Sequence, residues 1–286
     1  MKQSGTVAIV GVGLIGGSIG LALRSKSRAA RVIGIGRDRS RLEEARRLGA
    51  IDDYSTDMAE GVAHAEVAVI CTPVTRLVED ALEAARFGPE SILVTDAGST
   101  KARIVEGVEA NARGRAAFVG AHPIAGSERQ GVAHARADLF EGRSCVLTPT
   151  DRTPPDRLER ARAFWTGLGC RLFEIDPATH DNRLARTSHL PHAVAAALAA
   201  SIPPEMLPMA AGAYRDGTRV AGADAGIWTA IFLENPRPIL NALNEFESHL
   251  ADFRDALESG DEARLRAWWE QARGHRSRFD HADPDS

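Results

Sequence analysis

The feature that most limits what this chain can fold into lies near its start, where Val7-Ala8-Ile9-Val10 runs directly into Gly11-Val12-Gly13-Leu14-Ile15-Gly16-Gly17-Ser18. A short, wholly apolar run of this kind reads as a strand buried on both faces in a parallel sheet. The glycines follow it as G-x-G-x-x-G and open a helix, expected from Ser18 to about Ser25. Gly11 serves the tight turn, Gly13 the approach of a diphosphate to the backbone, and Gly16 the close packing of helix on strand. The diphosphate then rests on the exposed N–H groups of the helix N-terminus. A second strand at 31–36 gives the motif the βαβ setting that separates a dinucleotide site from an ordinary glycine-rich turn.

The same alternation continues to Ile175. Strands are expected at 6–10, 31–36, 66–71, 91–96, 116–121, 143–148 and 170–175, with helices at 40–48, 76–86, 101–112 and 155–168. Beyond Pro177 the β-pattern stops, and helices are expected at 180–201 (with Pro191 inside), 239–258 and 261–278, the last capped by Asp261. The fold class is therefore an α/β Rossmann-type doubly wound sheet followed by an all-α C-terminal domain. We expect residues 1–177 to bind dinucleotide, 178–280 to form a helical substrate and dimerisation domain, and 281–286 to be a flexible tail. An amphipathic helical domain after a Rossmann domain commonly buries its apolar face in a homodimer.

Net charge of −4 on 286 residues argues against nucleic acid or an anionic membrane as partner, so an anionic substrate must be held by a few local arginines. The longest later apolar run, 193–202, is half of the roughly 20 residues that a membrane span needs, and the glycine-broken N-terminus is no signal peptide. Cys71, Cys145 and Cys170 are odd in number and unpaired in spacing, as in reduced cytoplasmic proteins. No spacing for a metal site occurs.

Cofactor choice turns on the residue about 20 positions after the last motif glycine, where NAD-binding domains carry an acid for the ribose 2′-hydroxyl. Here that place is Gly36, followed by Arg37, Asp38, Arg39 and Ser40. Without a carboxylate, and with Arg37 and Ser40 available for a 2′-phosphate, NADP is expected; Asp38 turning inward would restore NAD.

Other segments fall where open α/β sheets place ligands, at the carboxyl ends of strands: Cys71-Thr72-Pro73, then Asp96-Ala97-Gly98-Ser99-Thr100-Lys101, then His122-Pro123-Ile124-Ala125-Gly126-Ser127-Glu128. The helical half adds His180-Asp181, Ser188-His189-Leu190-Pro191-His192, Arg215-Asp216-Gly217-Thr218-Arg219 and Trp228. In this order the motifs, with Gly13-Leu14-Ile15-Gly16-Gly17-Ser18, resemble the prephenate/arogenate dehydrogenase family of tyrosine biosynthesis, in its short single-function form. The resemblance covers nearly the whole chain. It implies NADP- or NAD-dependent oxidative decarboxylation of prephenate to 4-hydroxyphenylpyruvate, or of arogenate to tyrosine, or of both as a cyclohexadienyl dehydrogenase.

The resemblance also implies roles. His122 is the catalytic base, a task a neutral imidazole suits, and Ser99 bridges substrate and nicotinamide; helix capping is the plainer use of Ser99. Arg219 grips a substrate carboxylate, with a salt bridge to Asp216 as its alternative, and His192 lines the pocket while His189 faces the core. Ser127, Glu128, His180, Asp216 and Trp228 surround the substrate, His180 reaching over from a partner subunit. Gly11, Gly13, Leu14, Ile15, Gly16, Arg37, Ser40, Cys71, Thr72 and Pro73 hold the cofactor. Glu128 and His192 resemble the prephenate-using members, while a Glu128 paired with an ammonium group would favour arogenate. Two other classes compete: a β-hydroxyacid dehydrogenase or imine reductase, which leaves His122-Pro123 and the 188–192 motif unexplained, and a dinucleotide sensor without turnover.

Overall fold

The computed structural model describes residues 4–126 and 129–282; Ser127, Glu128 and 283–286 of the expected tail lie outside the described residues. Six strands form one parallel sheet in the order β3-β2-β1-β4-β5-β6. They are β1 (Ser4–Val10), β2 (Ala29–Ile35), β3 (Asp53–Ser55), β4 (Ala65–Ile70), β5 (Leu93–Asp96) and β6 (Phe118–Val119). The alternation of side chains along a strand divides the core in two. Val7 and Ile9 face one cluster, which includes Ile19, Phe140 and Trp165. Ala8 and Val10 face another, with Ile70, Leu77, Ile104 and Val108. Helices α1 (Leu14–Ser25), α2 (Arg39–Arg47), α3 (Met58–Val62), α4 (Val74–Phe87), α5 (Ala102–Glu109) and α6 (Ala112–Ala117) alternate with the strands. The doubly wound arrangement puts the direction switch at β1, flanked by β2 and β4.

Several expectations need correction. Helix α1 starts at Leu14 rather than Ser18, so Gly16 and Gly17 lie inside it. Glycine is a poor helix former, but Gly16 and Gly20 let the helix sit where a Cβ would strike the backbone oxygens of Gly11 and Ala50. The strand expected at 116–121 breaks at Gly120 into β6 and β7 (Ala121–Pro123), which belong to different sheets. Gly120 accepts a hydrogen bond from Thr148 N at 2.9 Å, and a Cβ there would come within 2.5 Å of Thr148 Oγ1. The final strands form their own sheet, β7-β8-β9: β8 (Ser144–Leu147) is antiparallel to β7 and parallel to β9 (Arg171–Glu174). Helix α7 (Pro155–Gly167) joins β8 to β9.

After β9 the chain is helical. The run α8 (Pro177–Leu184), a π-turn at Ala185–His189 and α9 (Leu190–Ala200) is the expected helical stretch. Pro191 is tolerated because it lies in the first turn of α9. Helices α10 (Gly212–Thr218) and α11 (Ala225–Glu234) come next, with 3₁₀ turns at Pro204–Met209 and Arg219–Gly222. Helix α12 (Pro236–Glu258) starts at its proline, and α13 (Glu262–Ala282) is capped by Asp261, whose carboxylate accepts from Arg264 N at 3.0 Å. The chain separates into two compact units, Met1–Pro236 and Arg237–Ser286. In the second, the Trp268 indole N–H donates to the His249 carbonyl at 3.1 Å and its ring packs on Phe253, a structural use, whereas Trp269 is exposed. No helix of the described residues is long and apolar enough to cross a membrane.

Candidate active site

The carboxyl ends of β1, β2 and β4 are laced together: Gly11 N donates to Ile35 O at 2.9 Å, and Cys71 N to Val10 O at 2.7 Å. Gly11 sits at φ +89°, a conformation glycine adopts without strain, and a Cβ there would come within 2.9 Å of the Cys71 carbonyl carbon. Gly13 differs. It is the N-cap of α1, no side chain caps the helix, and the space where its Cβ would stand is open. Open space above uncapped N–H groups is the cradle that a diphosphate fills, so the residues present fit a dinucleotide.

This cradle opens into a cleft of about 1860 Å³ within the first compact unit. Of the residues expected at the cofactor, Gly11, Gly13, Leu14, Ile15, Arg37, Cys71, Thr72 and Pro73 line it. Gly16 lies behind the turn, in its packing role, and burial pushes the Cys71 thiol well up. Ser40 is not on the cleft wall; its hydroxyl donates to Asp38 Oδ1 at 2.7 Å. Asp38 caps α2, accepting from Ser40 N at 3.0 Å and Arg41 N at 3.3 Å. Those bonds, the Ser40 hydroxyl foremost, hold its carboxyl below the usual range. Asp38 thus caps the helix through Oδ1 and pairs through Oδ2 with Arg41 Nε at 3.3 Å, and Arg37, Asp38 and Arg41 all stand on the cleft wall.

Across the cleft, His122 on β7 and Ser99 in the turn after β5 are half-buried lining residues. Ser99 does not cap α5. That helix starts from Lys101, and the Asp181 carboxylate on α8 accepts from Lys101 N and Ala102 N at 2.8 Å each. Behind His122 the contacts run inward: His122 Nδ1 lies 2.9 Å from His180 Nε2, and His180 Nδ1 lies 2.8 Å from Asp181 Oδ1. His180 therefore departs from expectation: it is fully buried within this chain, off the cleft wall, and touches His122 rather than open pocket. Beneath Ser99, Lys101 and Asp96 form a fully buried ion pair, and Asp96 also accepts from Gly98 N and Ala121 N at 2.9 Å each. Burial first, then His180, Lys101 and His189, lowers the His122 pKa well below its ordinary value.

The helical side brings His192, Arg219 and Trp228 to the same cleft. His192 lies 2.8 Å through Nδ1 from the Ser188 carbonyl oxygen, which can only accept, and its ring stacks on Trp228 with centroids 3.5 Å apart. Burial lowers the His192 pKa, and the Arg219 charge adds to this. Arg219 makes no ion pair among the described residues, so the bridge to Asp216 is not formed; Asp216 is exposed on α10, off the cleft wall. His189 is buried, as its core-facing alternative implied, with burial pushing its pKa down to about 4. Ser127 and Glu128 lie outside the described residues. Two residues escaped sequence reasoning. Ser188 orients His192 through its backbone carbonyl, not its hydroxyl, and the Asn235 amide donates to Asp181 O at 2.8 Å and lies 3.2 Å from His189 Nδ1. Ser188 stood inside a motif; nothing local marked Asn235.

Comparison with known proteins points the same way. Two family models match: "Prephenate dehydrogenase, nucleotide-binding domain" over residues 19–174 and "Prephenate dehydrogenase, dimerization domain" over residues 176–271. A prephenate dehydrogenase of Bacillus subtilis is 34% identical over 282 residues, covering 96% of this chain and 76% of that protein. A cyclohexadienyl dehydrogenase of Zymomonas mobilis is 30% identical over 89% of each chain. Among solved structures, Aquifex aeolicus prephenate dehydrogenase in complex with hydroxyphenyl propionate and NAD+ superposes with TM-score 0.90 at 32% identity, covering 98% of this chain and 99% of that one. Synechocystis arogenate dehydrogenase superposes with TM-score 0.82 at 29% identity, covering 96% and 99%. Matched by both domains in order and similar to such enzymes over nearly its full length, the chain belongs to the prephenate dehydrogenase family.

Proposed function

We propose that this protein is an NADP-dependent prephenate dehydrogenase, converting prephenate to 4-hydroxyphenylpyruvate by oxidative decarboxylation. The observation that carries the reading is the meeting of His122, Ser99, His192 and Arg219 around one cleft that also holds the Gly13 cradle. A nicotinamide held by that cradle would supply the hydride acceptor. His122 takes the proton of the ring hydroxyl as hydride leaves the same carbon, and the ring carboxylate departs as CO₂ with aromatisation. Ser99 orients that hydroxyl. The Arg219 guanidinium, free of ion pairs among the described residues, grips a substrate carboxylate. His192, backed by Trp228, fixes the other side of the ring.

NADP is favoured by two features: Gly36 offers no acid, and Arg37 stands on the cleft wall beside Asp38, whose carboxylate is occupied by the α2 cap and by Arg41. The reading includes a cytoplasmic homodimer, supported by the dimerization-domain match and three free thiols. The test is a two-by-two assay at 340 nm, prephenate and arogenate each with NADP+ and NAD+. The largest kcat/KM is expected for prephenate with NADP+. A larger value for arogenate moves the substrate assignment, a larger one for NAD+ moves the cofactor, and no turnover with any pair overturns the proposal.

A further inference from the structure

A neutral imidazole has two tautomers, and only the one with a bare nitrogen towards the substrate can take its proton. The groups behind His122 choose between them. Asp181 accepts the N–H groups of Lys101 and Ala102, one on each oxygen, at the N-terminus of α5, where negative charge is favoured. Facing such an acceptor at 2.8 Å, His180 must carry its proton on Nδ1. That leaves His180 Nε2 as a lone pair, 2.9 Å from His122 Nδ1, which must therefore donate. His122 Nε2 is then the bare nitrogen.

We infer that His180 and Asp181, neither of them on the cleft wall, are positioning residues that lock His122 as its Nδ1–H tautomer, turn Nε2 to the substrate and share the positive charge when the proton arrives. The inference rests on His122 being the base of the proposed reaction. It differs from a general packing role because the two bonds order the protons as well as the rings. Removing outer partners of this kind typically lowers activity by about 10–100-fold, and a wrongly set tautomer lowers it by up to about 10⁴-fold.

The first measurement needs no turnover: imidazole ¹⁵N shifts of His122 in the full-length protein, assigned by their loss in His122→Asn. A bare Nε2 and a protonated Nδ1 are expected; the reverse, or rapid averaging of both forms, overturns the inference. The second compares His180→Phe, which keeps a ring without nitrogens, with His180→Gln, whose amide oxygen can accept from Nδ1–H. His180→Phe should lower kcat by about 10²–10³-fold, leave KM for substrate and Kd for cofactor within about threefold, and mix the tautomers. His180→Gln should recover at least about tenfold of that loss. A fall in kcat of less than about threefold in His180→Phe, or equal losses in the two variants, overturns the inference. If the wild-type enzyme oxidises neither prephenate nor arogenate, the function is wrong while the nitrogen shifts still decide the tautomer; they decide it too if His180→Phe does not fold.

Discussion

At His122, burial and the charge on Lys101 act together to keep the imidazole neutral. A base works in its deprotonated form, so a lowered pKa extends its working range towards acid. The acid limb of kcat should therefore fall well below 6.5, the ordinary value for histidine; a limb at or above it in a kcat–pH profile contradicts the assignment. Arg219 faces the cleft without a partner among the described residues, which suits a side chain waiting for an anion. Arg219→Ala should raise KM for prephenate by about 10–100-fold, with NADP+ affinity nearly unchanged in a fluorescence titration. That His122, Ser99, His192 and Arg219 would share one cleft was legible because each sat in a motif whose order along the chain carried information, whereas Trp228 stood alone. The depth of His180 was not, since sequence gives no sign of which side of a ring another residue 58 positions away will occupy.

Elements were legible where one pattern dominated and illegible where two competed. The strand–glycine–helix unit at the start is readable because buried strand and motif reinforce each other, yet the start of α1 was displaced by four residues since glycine hides helical propensity. The split had one local sign, the lone Gly120 inside an apolar run, which a strand reading passes over. The helical segments of 204–234 were missed because Pro203, Pro204 and Pro208, then Gly212, Gly217, Gly222 and Gly226, interrupt the period. The motif glycines also separate binding from stability. Gly13→Ala should change unfolding free energy by less than about 0.5 kcal/mol, since its methyl group meets no neighbour. It should nevertheless weaken dinucleotide binding by about tenfold or more by occupying the cradle. Gly16→Ala should instead destabilise by about 1–3 kcal/mol, because the methyl strikes Gly11. Denaturant melts and cofactor titrations on both variants would check the contrast.

At the scale of the whole molecule, four histidines among the described residues have lowered pKa values, burial being the largest cause in each: His122, His180, His189 and His192. The unfolded chain binds protons near 6.5, the folded one only below that, so stability is full above 6.5 and declines as pH falls. His189 alone, held at about 4, accounts for a loss of about 3 kcal/mol across that window. Thermal melts between neutral pH and pH 4 should show a falling Tm; a flat profile would mean these rings charge freely in the fold. Apolar surface also remains to be covered, Met209 at 82% exposure in the first unit and Trp269 at 66% in the second. Sedimentation equilibrium should accordingly return about twice the 30.6 kDa chain mass, and a monomer would argue against the homodimer.

The Asp181 carboxylate reaches back 80 residues to close the start of α5. The residues that close α5 and stand behind His122 therefore all come after β9, in a stretch of chain that belongs to the same compact unit as the Gly13 cradle. A cut after β9 would divide that unit, removing at one stroke the cap of α5 and the ring packed on His122.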